Sequence, residues 1–262
     1  MSEIALRQII GRPSLSIVVP VFRNAPSLAT LVERIDAAMA AAGLSHEILL
    51  VDDASPDDSW ARIRTLATAS SHLHGLRHAR NEGQHVAAMT GLTRAQGEIC
   101  VVMDADLQDR PEAIAGMVAR LQQGDAEVVF AGRVGDYQSW PRMLSSRLYR
   151  HVLLGGLTRL PTDAGMYFAI TRSGLARLRT LRPSGQPMLI GLLAAAGLRC
   201  ESLPAARAER EHGTSAYSSW RRLRSALRMA RCALFSARAP DGSGWPQAVL
   251  AEPRIGPAED RR

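Results

Sequence analysis

The feature that most constrains this chain is an alternation: β-branched runs that end in polar or acidic residues, each followed by a stretch with helical periodicity. "SLSIVVPVF" (Ser14 to Phe22) has the pattern of a buried strand. Pro26 and Ser27 open a helical stretch with Leu28, Leu31, Val32, Ile35 and Met39 on one face, and Gly43 closes it. "HEILLVDDAS" is a second strand ending in Asp52 and Asp53, and a helix through Trp60, Ile63 and Leu66 follows. A third short strand is expected near Leu73 to Arg77, and "GQHVAAMTGLTRAQG" reads as a helix bounded by glycines. "EICVVMD" is the fourth strand, Pro111 starts the next helix, and "AEVVFAG" is the fifth strand. Strands and helices alternating over short connections imply an α/β chain, with a Rossmann-like, mostly parallel sheet flanked by helices. Ligands of such sheets bind outside the carboxyl ends of the strands. Asp52, Asp53, Asp104 and Asp106 all fall at such ends.

After Gly135 the pattern changes. "WPRMLSSRLYRHVLLGGL" reads as a basic amphipathic helix, "GMYFAI" as a strand and "PMLIGLLAAAG" as a helix. "RCESLPAARAERE" is a strand pair or an extended segment, and "AYSSWRRLRSALRMARCALFS" is a C-terminal amphipathic helix. In that helix Leu223, Leu227, Ala230 and Leu234 continue one stripe from Trp220, flanked by Arg224, Arg228 and Arg231, a pattern suited to a membrane interface or to packing on its own domain. The expected division is an N-terminal extension (1–13), one large domain (14–236) and a loose tail rich in Pro, Gly and charge (237–262).

The chain has 262 residues, 46% of them hydrophobic, enough for a sizeable core without disulfide or metal staples. Its formal charge is +7, and the sequence contains no lysine, so every side-chain cation apart from histidine is arginine. Guanidinium forks suit phosphate, but charge alone does not choose among nucleic acid, an anionic membrane and a phosphorylated substrate. An aromatic content of 5% and the acid-lined strand ends argue against nucleic acid. Cys100, Cys200 and Cys232 are scattered and odd in number, which suggests a reduced, intracellular protein, and no Cys or His set has local zinc spacing. "MSEIALRQIIGRP" lacks the apolar core of a signal peptide, and no apolar run reaches the roughly 20 residues of a membrane span. The expectation is a cytoplasmic chain, peripheral at most on the cytoplasmic face of the membrane.

"VVMDADLQDR" carries the chemistry. An apolar strand delivers Asp104 and Asp106 at its end, and Gln108 adds a neutral oxygen. Oxygen donors of this kind suit Mg²⁺ or Mn²⁺, whose octahedron is usually completed by phosphate oxygens of a substrate. Asp109 stands where a helix N-cap would, just before Pro111.

Taken in order, "SIVVPVF", "VDDASPDD", "RNEGQHVAAMTGL", "MDADLQDRPE", "AGR", "SSRLYR" and "AEREHGTSAYS" resemble the inverting family-2 glycosyltransferases of the GT-A fold, in particular those that use polyprenyl phosphates. The resemblance covers about Leu15 to Ser236. It implies transfer of a sugar from a UDP- or GDP-linked donor to a polyprenyl phosphate. In that reading Pro20 and Phe22 wall the nucleotide base, Asp52 reads it, and Asp53 and Arg80 line the same pocket. Arg23–Asn24 stands where the family has an acid. Asp104, Asp106 and Gln108 hold the metal and diphosphate. Arg133, Arg147 and Arg210, with Ser215 nearby, surround the acceptor phosphate or the leaving group, and Asp106, Asp163 and Arg210 are the catalytic candidates. A lipid phosphate needs no general base, being already anionic with a second pKa of about 6. A hydroxyl acceptor does need one, and Asp163 in "LPTDAGM" is either that base or a turn acid. Ala169 stands where relatives carry an arginine, and Arg172 is the candidate to replace it. His85 is expected to pack at a helix start beside the pocket, and His212 lies in a loop with Gly213 as a hinge.

Overall fold

A computed structural model describes residues 13–134, 160–206, 219–239, 245 and 248–256 of the chain. Strands β1 (Leu15–Val21), β2 (His46–Asp52), β3 (Leu73–His78) and β4 (Ile99–Val102) run parallel in the spatial order β3-β2-β1-β4. Helices α1 (Leu28–Ala42), α2 (Ser59–Ala69) and α3 (Gln84–Arg94) make the crossovers between them. Helix α4 (Ala113–Gln122) leads to β5 (Val128–Val134), and β6 (Phe168–Thr171) lies antiparallel between β4 and β5. The chain continues through α5 (Arg172–Arg179), β7 (Leu181–Arg182) and α6 (Leu189–Ala195) to β8 (Cys200–Ala206), which pairs parallel with β5. Helix α7 (Ser219–Phe235), β9 (Ala237–Arg238) and β10 (Leu250–Ile255) complete the described elements. The main sheet therefore has eight strands in the order β10-β3-β2-β1-β4-β6-β5-β8.

Both faces of this sheet are covered, which is why its strands are apolar runs rather than alternating ones. All seven residues of β1 are buried. Val18, Leu49, Val51 and Leu76 pack with residues of α3, α6 and α7, while Ile17, Val19, Ile48 and Leu50 pack with residues of α1, α2 and α4. Each fully buried aliphatic side chain of this size is worth about 1.5–3 kcal/mol. Close packing on the first face depends on Gly91 of α3: a Cβ there would lie 2.3 Å from Val18 Cγ1.

Strand order reverses between β1 and β4, so the crevice for a ligand opens there. Proline reinforces the opening. Met103 N–H donates to Val18 O, which sets Val18 toward β4, and Pro20, two residues on, faces the same way. Pro20 lacks an N–H, and β1–β4 pairing has already ended at Val18–Val102. The strands part at Pro20 without an orphaned donor.

Three expectations need correction here. The stretch beyond residue 237 is not a loose tail in its described parts. β9 pairs with β7, Trp245 is buried with its indole N–H donating to Met89 O at 3.2 Å, and β10 adds an antiparallel edge strand to β3. Trp60 Nε1–H donates to Glu252 Oε1 at 2.8 Å, fastening that edge to α2. Asp109 does not cap a helix: Glu112 holds the N-cap position of α4, and Asp109 is buried and turned back to accept from Asp104 N–H at 3.0 Å. Arg172 sits at the amino end of β4, where it donates to Ala95 O and Gly97 O, on the far side of the sheet from the crevice. It cannot stand in for the arginine that Ala169 lacks. The expected helix within residues 135–159 lies outside the described residues. No helix among the described residues is long and apolar enough to cross a membrane.

Candidate active site

Four loops meet at the carboxyl edge: those after β1, β2, β3 and β4. Phe22, the first residue past β1, is 42% exposed. Arg23 stacks its guanidinium 5.4 Å from the Phe22 ring centroid and takes a left-handed φ of 57°. Its N–H donates to Ser55 Oγ and that of Asn24 to Ser59 Oγ, so the β1 and β2 loops are bonded to each other.

Asp52 ends β2 and is fully buried. Ser55 N–H donates to its Oδ1 at 3.2 Å, and Arg77 Nε lies 3.2 Å from Oδ2. Loss of hydration pushes this carboxyl above its ordinary range, and Ser55 and the Arg77 guanidinium offset only part of that. Arg77 in turn stacks on Trp60, 5.7 Å from its centroid, so the edge fastening through Trp60 and Glu252 also steadies the partner of Asp52.

Both carboxylate oxygens of Asp53 are engaged within the protein: Oδ1 accepts from His78 Nδ1–H at 2.7 Å and from Glu82 N–H at 2.8 Å, and Oδ2 accepts from Gly83 N–H at 2.7 Å. Asn81 Nδ2 donates to its backbone oxygen. Burial alone would raise this carboxyl, but the three hydrogen bonds outweigh burial and hold it below the ordinary value. Asp53 therefore fixes the β3 loop and the start of α3. His78 completes the set, with Thr90 Oγ1 at 3.0 Å from its Nε2. Arg80 is on the same loop, largely exposed and paired with Glu82 at 2.6 Å, which raises its already high pKa.

The acid turn after β4 is held from several sides. Asp109 accepts from Asp104 N–H, Ser27 Oγ donates to Ala105 O at 2.7 Å, and Gln108 N–H donates to Asp106 Oδ1 at 3.2 Å. Leu107 takes a left-handed φ of 63°, and Tyr167 O–H donates to Arg110 O at 2.6 Å. The side-chain amide of Gln84, the first residue of α3, donates to Asp104 Oδ1. Sequence reasoning gave Gln84 no role; the only signal was its place in the "GQH" block. The donor set around this turn is oxygen: two carboxylates two residues apart, and a buried amide at Gln108. Among the described residues no third carboxylate or imidazole joins Asp104 and Asp106 in a ligand cluster, so the turn fits an ion that completes its shell with water or ligand phosphate.

Asp163 reaches the same edge through the loop before β6, whose first residue pairs with Val102 and Phe130. Ser202 Oγ of β8 donates to Asp163 Oδ2 at 2.6 Å. The pair sits in the space left by a missing side chain: a Cβ on Gly132 would lie 2.0 Å from Asp163 Oδ2 and 2.3 Å from Ser202 Oγ. Arg133 follows in β5 opposite Ala205. Arg147, Arg210, Ser215 and His212 lie outside the described residues. His85 packs as expected, accepting from Leu189 N–H at 3.3 Å, and loss of hydration pulls its pKa down to about 4.

A reversal of strand order with an oxygen-donor turn at the carboxyl edge defines a chain of the open α/β class, whose ligands bind at that edge. Comparison with known proteins makes this specific. Residues 16–191 match the model of glycosyl transferase family 2, so the chain belongs to that family. It is 35% identical over 211 residues to undecaprenyl-phosphate 4-deoxy-4-formamido-L-arabinose transferase of Klebsiella pneumoniae, covering 79% of this chain and 63% of the relative. The protein of that name from Erwinia tasmaniensis is 36% identical over 206 residues, with 78% and 63% covered. The chain thus spans somewhat less than two thirds of the length of these relatives. Among solved structures, a mannosyltransferase from Pyrobaculum calidifontis, in complex with GDP-Man and Mn²⁺, superposes with a TM-score of 0.63 at 22% identity, covering 89% of this chain and 67% of that one. Glucosyl-3-phosphoglycerate synthase from Mycobacterium tuberculosis gives 0.58 at 19%, covering 98% and 94%. These likenesses confirm the GT-A fold.

Proposed function

We propose that the chain moves a sugar from a nucleoside diphosphate sugar to a polyprenyl phosphate with inversion at the anomeric carbon. The observation that carries the reading is the turn of Asp104 and Asp106 at the β1–β4 crevice, braced by Gln84, Ser27 and Asp109. The names of the 34–36% identical relatives support the acceptor, and the GDP-Man and Mn²⁺ of one structural neighbour support the donor class.

Pro20 and Phe22 wall the base, Asp52 reads it, and Arg80 on the β3 loop approaches the same pocket. Asp104, Asp106 and Gln108 would hold Mg²⁺ or Mn²⁺, which when bound neutralises charge on the diphosphate. Arginine forks at Arg133, Arg147 and Arg210, with Ser215, bind the acceptor phosphate or the departing diphosphate and are worth most where water is excluded. A phosphate acceptor is already anionic, so Asp163 has no proton to remove and orients the acceptor through its bonded partner Ser202.

Peripheral membrane contact is part of the proposal, and α7 supports it. Among its residues with described side chains, 227–235, Met229 and Cys232 are buried, whereas Leu227 is 63% exposed, Leu234 52% and Phe235 70%, with Arg228 and Arg231 exposed beside them. An apolar stripe edged by arginine suits the surface of an anionic bilayer.

One observation favours a second acceptor class. Asp163 is a carboxylate at the same edge, suited to act as general base toward a hydroxyl. Incubating the protein with Mn²⁺, a panel of labelled UDP- and GDP-sugars and either a short polyprenyl phosphate or a free glycan decides between the two. Label in an acid-labile lipid phosphate supports the proposal; label only in the glycan replaces it with the hydroxyl reading.

A further inference from the structure

The opposite edge of the sheet carries a second cluster of ligating groups, unrelated to the crevice. Asp36 on α1, His46 at the start of β2 and His72 just before β3 converge at the amino ends of the strands. His46 Nε2 and His72 Nε2 each lie 2.8 Å from one atom, Asp36 Oδ1. The two imidazoles meet edge to face with centroids 4.7 Å apart. Local spacing in the sequence conceals this set, because the histidines stand 10 and 36 residues from the aspartate.

We propose that Asp36, His46 and His72 bind a borderline divalent transition ion, Zn²⁺ being the natural choice. Two imidazoles and one carboxylate are a zinc donor set, whereas the all-oxygen turn at Asp104 and Asp106 suits Mg²⁺ or Mn²⁺. The spacing fits: bonds of about 2.0–2.2 Å put tetrahedral ligand atoms about 3.3–3.6 Å apart, and the three ligand atoms here lie within 4.8 Å of one another. An ion between the rings would need the two 2.8 Å contacts to open by only about half an ångström. The second shell is suited as well. Ser70 Oγ lies 3.1 Å from His72 Nδ1, and a hydroxyl can donate to that nitrogen in the ion-free tautomer or accept from it once Nε2 binds metal. The side chains are 40% (Asp36), 12% (His46) and 34% (His72) exposed, which gives an ion a path in and leaves a position for water. Bound there, the ion ties α1 to the leading ends of β2 and β3 and stabilises the folded chain by mass action.

The test is calorimetric titration of the chelator-stripped, tag-free chain with Zn²⁺, carried out on an Asp104→Asn/Asp106→Asn protein so that the crevice does not contribute. The expected result is one Zn²⁺ per chain, and Co²⁺ in its place should show the visible absorption of an imidazole-bound ion. Losing a second-shell partner already costs about 10–100-fold in affinity, so adding His46→Gln and His72→Gln should weaken binding by more than about 100-fold. Asp36→Asn, which keeps the shape of the side chain, should weaken it in the same direction, and thermal unfolding without metal verifies that each variant folds. Absence of stoichiometric Zn²⁺ binding in the Asp104→Asn/Asp106→Asn protein, or binding unchanged by the histidine substitutions, would overturn the proposal.

Discussion

The side-chain amide of Gln84 donates to Oδ1 of Asp104. This bond joins the start of α3 to the acid turn after β4, and the preceding residue, Gly83, is itself held by Asp53. Position of the turn thus depends on a chain of contacts from His78 through Asp53 to Gln84. Gln84→Ala should lower Mn²⁺ affinity and turnover by about 10–100-fold, the usual cost of removing a ligand's supporting partner. Manganese titration of nucleotide binding measures it, and Gln84→Glu, which replaces the donor by a like charge, should do worse than Ala.

Gly132 leaves the space in which Asp163 meets Ser202. Gly132→Ala forces a methyl group into that pair and should displace Asp163 from the crevice edge. A misplacement of about 1 Å at a reacting centre costs about 10²-fold. The loss should fall on turnover and acceptor KM, with the Kd for nucleotide unchanged, so steady-state kinetics and nucleotide binding on one preparation check it.

Asp53 links pH to stability. Its folded pKa is depressed, so its contribution is fully present above its unfolded value of about 3.9 and disappears as pH falls through the lower folded value. Asp53→Asn should therefore lie below the parent in stability by a constant margin above about pH 5, with the gap closing below about pH 4. Near neutral pH the margin should be roughly 2–4 kcal/mol, the cost of disturbing several hydrogen bonds to a buried carboxylate. Urea unfolding at a series of pH values gives the curve.

Much of this architecture was written in local pattern. β1 to β5 and their helices follow from buried runs punctuated by helix starts, and the acids at strand ends mark the carboxyl edge in the sequence itself. β10 was not legible, because "LAEPRI" mixes Pro, Glu and Arg as a solvated tail does; an edge strand tolerates that composition since only one side of it is paired. Asp109 looked like a helix cap because spacing alone cannot tell a residue that caps forward from one that folds back onto Asp104. Arg172 follows a strand whose direction is invisible in sequence: β6 runs antiparallel, which carries its end to the wrong edge of the sheet. Asp53 and Asp52 are adjacent and alike in type, and only the structure shows that the first is bonded to the β3 loop and the second to Ser55 and Arg77.

The central claim is that the turn of Asp104 and Asp106 binds a nucleoside diphosphate together with a divalent ion. Equilibrium binding of UDP and GDP, with and without Mn²⁺, to the parent chain and to Asp106→Asn tests it most directly. The account predicts tight binding of one of the two nucleotides only with Mn²⁺, and loss of the metal effect in the variant. Nucleotide binding in Asp106→Asn that responds to Mn²⁺ as the parent does would contradict it.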